Sequence, residues 1–153
     1  MIDLSALGMA HIATYRDGTF DPCEPMPGAI YAKTMPVYDR LGEPVDLVAW
    51  ASADPSRWWL RHGLATVLGE DDLNGAWWEE RPVMLAATPA EWLEQRYLWP
   101  NKLWVCVLDW SADPRATLGL ASEVVCTSTA LQQKLKDEIA RHVAPAFRIA
   151  RAA

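Results

Sequence analysis

Between residues 83 and 150, short apolar runs alternate with capped, amphipathic segments, and that alternation restricts the chain more than any other feature. PVMLAA (82–87) reads as a buried strand. In the TPAEW that follows, Thr88 can cap a helix, Pro89 takes its first position and Glu91 closes a capping box. This helix is expected to run to about Leu98, ahead of Pro100. KLWVCVLDW (102–110) is almost wholly apolar, as a strand covered on both faces must be. Asp113 and Pro114 then open a short helix ending near Gly119, and EVVCT (123–127) supplies another strand. Thr129 with Gln132 reads as a second capping box, and its helix places Leu131, Leu135, Ile139 and Val143 on one stripe. Pro145 stops that helix, and AFRIA (146–150) can form a last strand. A βαβαβαβ order of this kind predicts a mainly parallel sheet with helices packed on it.

The part before residue 82 has a different character. Five of the 11 prolines fall within 21–44, so 1–44 is expected to be irregular, with a hairpin turning at Asp17-Gly18 and one short strand at 29–33. Residues 45–81 read as an antiparallel meander of about three strands, VDLVAW, RWWLRHG and LATVLG, followed by an acidic loop, EDDLNGAWWEE, with Asn74-Gly75 at its tip. The meander is expected to extend the parallel sheet or to pack at its edge. The expected class is therefore α/β (or α+β), and 153 residues suit one domain spanning 1–153.

Composition narrows the function classes. The chain is 51% hydrophobic, too apolar for disorder, yet no apolar run reaches the roughly 18 residues of a membrane span. No basic segment followed by an apolar stretch opens the sequence, so a cytoplasmic address is expected and no membrane partner. Cys23, Cys106 and Cys126 have no metal-like spacing, and Cys106 and Cys126 read as reduced thiols in apolar surroundings. Residues 1–127 carry 9 basic and 18 acidic side chains, which opposes direct nucleic-acid binding. His11, His62 and His142 are too widely spaced for a metal site, and no serine sits in a nucleophile elbow. Neither a metal nor a cofactor is expected.

Two features remain as candidate sites. Asp109 closes the central apolar strand, and carboxyl ends of parallel strands are where ligands bind in such sheets. With Asp113 it could hold Mg²⁺ for nucleotide or phosphoryl chemistry. The plainer account makes Asp113 a helix cap and Asp109 a turn residue, since no glycine-rich phosphate loop accompanies them.

The second feature is tryptophan, 9 residues against only 2 phenylalanines. In a strand, neighbouring side chains face opposite ways, so one member of Trp58-Trp59 must leave a one-sided core. Trp77 and Trp78 sit among Glu70, Asp71, Asp72, Glu79 and Glu80, with no basic residue in the 70–80 window. Such rings can anchor a partner while the acids steer a basic surface towards them; alternatively they fold back over the sheet. The leading expectation is a non-enzymatic, protein-binding accessory module. Its small size and acidity suit a phage or mobile-element product that occupies the basic surface of a host complex as an inhibitor. The rival expectation is the Mg²⁺-dependent domain built on Asp109 and Asp113.

Overall fold

A computed structural model describes residues 7–119, 121–143 and 151–152. The protein is mixed α/β, with a five-stranded antiparallel sheet, a four-stranded mixed sheet and helices.

The first sheet uses the segment expected to be irregular. β1 (Gly8–Thr14), β2 (Phe20–Pro22) and β3 (Ile30–Tyr38) join β4 (Pro44–Ala51) and β5 (Asp54–Leu60) in the order β2-β1-β3-β4-β5. The prolines sit where a missing donor is tolerated. Pro22 ends β2, Pro25 and Pro27 lie between strands, and Pro44 begins β4. Pro36 is inside β3, two residues beyond Thr34, the last residue there that pairs with β1 among the described residues.

The outer strands of this sheet meet. Thr19 bridges Leu60, the Leu60 N–H donates to the Gly18 carbonyl at 2.9 Å, and Arg61 pairs with Asp21 at 2.8 Å. The sheet is thus curled towards a small barrel, which is how an antiparallel sheet can hide its edges. Alternate residues fill its inside: Ile12, Phe20, Ala32, Ala49 and Trp59 form one buried cluster. The opposite face, carrying Met35, Val37, Val48, Trp50 and Leu60, packs against the rest of the protein. Both members of Trp58-Trp59 are therefore used structurally. Trp59 points into the barrel, and Trp58 packs on the outer cluster, its Nε1 donating to the Leu108 carbonyl at 3.0 Å.

The third expected meander strand leaves the first sheet. β6 (Val67–Leu68) pairs antiparallel with β8 (Leu103–Val107), which runs parallel to β7 (Val83–Ala86), and β7 runs parallel to β9 (Val124–Cys126). The expected meander thus divides: its third strand extends the parallel sheet by antiparallel pairing with β8, whereas its first two belong to the curled sheet, which packs face-on to the second sheet through a shared core. The connections from β7 to β8 and from β8 to β9 run in opposite directions across the sheet order β6-β8-β7-β9. Right-handed crossovers then require helices on opposite faces. α2 (Pro89–Leu98) accordingly packs with Trp92 between the two sheets, whereas Leu118 of α3 (Arg115–Leu118) lies on the far face.

Local signals in this half act as the sequence predicts, with three differences. The Thr88 hydroxyl caps α2 by accepting from Glu91 N–H at 3.0 Å, but Glu91 Oε2 accepts from Ala87 N–H at 2.9 Å, one residue before the cap, and not from Thr88 as a reciprocal capping box requires. For α4 (Thr129–Val143), however, the cap is Ser128, whose Oγ accepts from Leu131 N–H at 3.1 Å, one residue earlier than expected. Leu131 and Leu135 are buried in the stripe, but Val143 is exposed. Cys106 is buried, and Cys126 is only half-buried because β9 is an outer strand of the described sheet. The stop at Pro145 and the strand at 146–150 lie outside the described residues.

Asp46 joins the two sheets, a role nothing in the sequence announced. Its carboxylate is buried and accepts from four backbone N–H groups: Leu47 (2.8 Å), His62 (2.9 Å), Leu64 (2.7 Å) and Ala65 (3.1 Å). Three of these donors belong to the segment that carries the chain from β5 to β6. Burial pushes the Asp46 carboxyl up, but the donors, His62 foremost, outweigh it, and its pKa is lowered overall.

Candidate functional site

The 70–80 window is helical, not a loop. After a 3-10 turn at Glu70–Asp72 comes α1 (Leu73–Glu79). Leu73 and Ala76 are both fully buried against the far face of the second sheet, three residues apart, and this short apolar edge holds the helix in place. Helical geometry then fixes the rings. Trp77 lies at the margin of the buried edge, and Trp78 points almost directly away from it. They are 55% and 76% exposed respectively. Neither folds back over the sheet.

The two rings touch edge to face, with centroids 4.5 Å apart, so each limits the other's freedom. Glu80 ends α1 in the left-handed region at φ 53, a position better suited to glycine. Trp99, at the end of α2, is also exposed, with Lys102 over its ring at 5.2 Å. Arg81, just beyond α1, donates to the Asn101 carbonyl, tying this end of α1 to the α2–β8 connection.

The five acids do not form one free acidic field. Arg96 of α2 pairs with Asp72 at 2.8 Å, and Arg81 pairs with Glu79 at 3.2 Å. Arg40 Nε lies 3.2 Å from Glu70 Oε1, although off the hydrogen-bonding direction. Asp71 is half-buried, and its pKa is raised by that burial and by the neighbouring Asp72 charge. The sequence window contains no base, but bases arrive from elsewhere in the fold. Of the five acids, Asp71 and Glu80 have no ion-pair partner among the described residues, and Glu80 is exposed at the end of α1 that carries the rings.

The carboxyl end of β8 brings the other candidates together. Asp109 and Asp113 both line a pocket of about 120 Å³ with Thr66 and Thr117, on the side of the sheet where the crossover connections diverge. Asp109 Oδ1 and both Asp113 oxygens already have partners. Asp109 Oδ1 accepts from Ser111 N–H at 2.9 Å and from its hydroxyl at 2.5 Å. Asp113 accepts from Arg115 N–H at 3.0 Å and from its guanidinium at 2.7 Å. The Arg115 side chain, then its backbone N–H, hold the Asp113 carboxyl down at about 2.

Among the described residues, no three His, Cys, Asp or Glu side chains converge in a way that could hold a metal ion. None of the described helices is long and apolar enough to cross a membrane. No family model matches the chain, and no curated protein or solved structure shows significant similarity to it.

Proposed function

We propose that this protein is a binding module, not an enzyme, and that it holds a protein partner with a basic surface through Trp77 and Trp78. One observation carries the reading: two mutually packed tryptophans are exposed on an α1 edge that the core does not need. Large exposed rings are costly unless something covers them, and Trp offers contact area with little rotamer entropy to lose. Glu79 and Glu80 lie beside them, and ring faces also attract Arg and Lys, so both features favour a cationic partner.

The reading makes a stability prediction separate from binding. Because the rings are outside the core, the W77S/W78S variant should lose no more than about 1–2 kcal/mol, chiefly their mutual contact. Burial in the core would instead cost about 3–5 kcal/mol for each ring. Thermal unfolding of wild type and variant distinguishes these outcomes. The E79Q/E80Q variant should keep the partner but bind it more slowly and with weaker salt dependence, as expected for rim charges. Equal salt dependence of association for this variant and wild type would refute the proposed role of the acids.

The Mg²⁺-dependent reading has one observation in its favour, the shared pocket of Asp109 and Asp113. Arg115 already neutralises Asp113, so the first reading predicts that millimolar MgCl₂ leaves the melting temperature unchanged at constant ionic strength. A Mg²⁺-specific rise abolished by D109N would favour the second reading.

A further inference from the structure

The seam where the curled sheet closes opens into a groove of about 320 Å³ between the β1–β2 turn and β5. The seam is bridged at Thr19 and Leu60, and the strands part towards the start of β5. Arg16 of the β1–β2 turn and Arg57 of β5 both line the groove, together with Tyr15, Ser56 and Trp58. Among the described residues neither arginine has a carboxylate partner, whereas Arg40, Arg61, Arg81, Arg96, Arg115 and Arg141 all do.

The Arg57 guanidinium and the Arg16 backbone are both held in place. Arg57 lies over the buried Trp59 ring, 5.4 Å from its centroid. Arg16 is in a turn closed by Gly18 N–H to the Tyr15 carbonyl (3.1 Å) and by Tyr15 N–H to the Thr19 carbonyl (2.9 Å).

Nearby carboxylates are directed elsewhere, and none lines the groove. Asp17 accepts from the Thr19 hydroxyl and N–H, Asp54 from the Ser56 hydroxyl, and Asp21 from the Tyr15 hydroxyl while pairing with Arg61. Two separated guanidinium forks match a tetrahedral dianion better than a carboxylate, which one fork satisfies. The groove's volume lies within the range for small ligands, and the exposed face of Tyr15 offers a stacking surface beside the arginines.

We propose that this groove binds a small phosphate monoester, with Arg16 and Arg57 sharing its phosphate and Tyr15 accepting the flat group attached to it. The site is independent of the Trp77–Trp78 surface.

The test titrates the full chain with adenosine monophosphate, inorganic phosphate and adenosine at constant ionic strength, followed by calorimetry and by intrinsic tryptophan fluorescence, to which Trp58 and Trp59 at the groove contribute. Saturable binding of the monophosphate is expected, with phosphate weaker and adenosine weaker still by at least about tenfold, the scale of one good charged contact. R16Q and R57Q should each weaken monophosphate binding by about tenfold or more without changing the melting temperature appreciably. W77S/W78S should bind it normally. No saturable binding below about 10 mM, or adenosine binding as tightly as the monophosphate, would overturn the proposal. So would unchanged affinity in both arginine variants.

Discussion

Replacing Asp46 by alanine should destabilise the protein by about 3–5 kcal/mol, the largest effect expected of a single polar substitution among the described residues. Four backbone N–H groups now end on that carboxylate. Alanine leaves all four without their acceptor, and only those of the exposed 62–64 stretch can turn to water. In a chain of this size, a melting temperature lower by about 10–15 °C is expected.

Asp46→Asn separates shape from charge, because its amide nitrogen must face one pair of donors, Leu47 and His62 or Leu64 and Ala65, while its oxygen keeps the other. It should fall between wild type and alanine. The pH dependence follows from the lowered pKa. The unfolded carboxyl titrates near its ordinary value of about 3.9, the folded one below it. Stability from Asp46 is therefore complete above that value and is lost as pH falls through the folded pKa. Acid unfolding below about pH 4 should be less steep in Asp46→Ala.

Gly69→Ala should cost about 3 kcal/mol or more, through a different mechanism. Gly69 has φ 89 and turns the chain from β6 into the 3-10 turn that leads to α1. A Cβ there would run into the Trp104 carbonyl oxygen and come within 2.9 Å of Trp92 Nε1. Those two atoms form the 2.8 Å hydrogen bond that fixes α2 on β8. The obstructing oxygen is backbone in a central strand and has little room to move. Gly42→Ala is the internal control, since Gly42 has φ 78 but nothing within 4 Å of the added carbon. It should cost only about 1 kcal/mol, the backbone share alone. Equal losses at the two positions in denaturant unfolding would show that the approach to Trp104 is not limiting.

What could be read from the sequence follows from how local each signal is. Strands β7, β8 and β9 and the starts of α2 and α3 were legible because apolar runs and caps are short-range features, as at Thr88, Pro89 and Glu91. Proline content misjudged residues 1–44 because it ignores position: β3 is the longest strand among the described residues, and Pro36 lies past the last pairing with β1 seen among them. α1 was missed because it is anchored by only Leu73 and Ala76, too few residues to show a period, while Asn74-Gly75 resembles a turn. Closure of the first sheet depends on Thr19 meeting Leu60, and Asp46 on donors up to 19 residues away; neither leaves a local trace.

For the candidate site, the sequence identified the residue types but not their partners. Trp77 and Trp78 stood out by composition, yet their exposure depends on the helical phase set by Leu73 and Ala76. The acids stood out by density, yet Arg40 and Arg96 reach two of them from distant segments. Arg16 and Arg57 are unremarkable in sequence and become neighbours only across the seam.

The proposed role of Trp77 and Trp78 is tested most directly by capturing partners on tagged wild type and tagged W77S/W78S side by side, from lysate of the native host. Wild type should retain a protein in stoichiometric amount, released as salt rises. The variant, folded and melting within a few degrees of wild type, should lose it. Retention of the same protein by both forms, or failure of the double variant to fold, would contradict a binding surface built on those two rings.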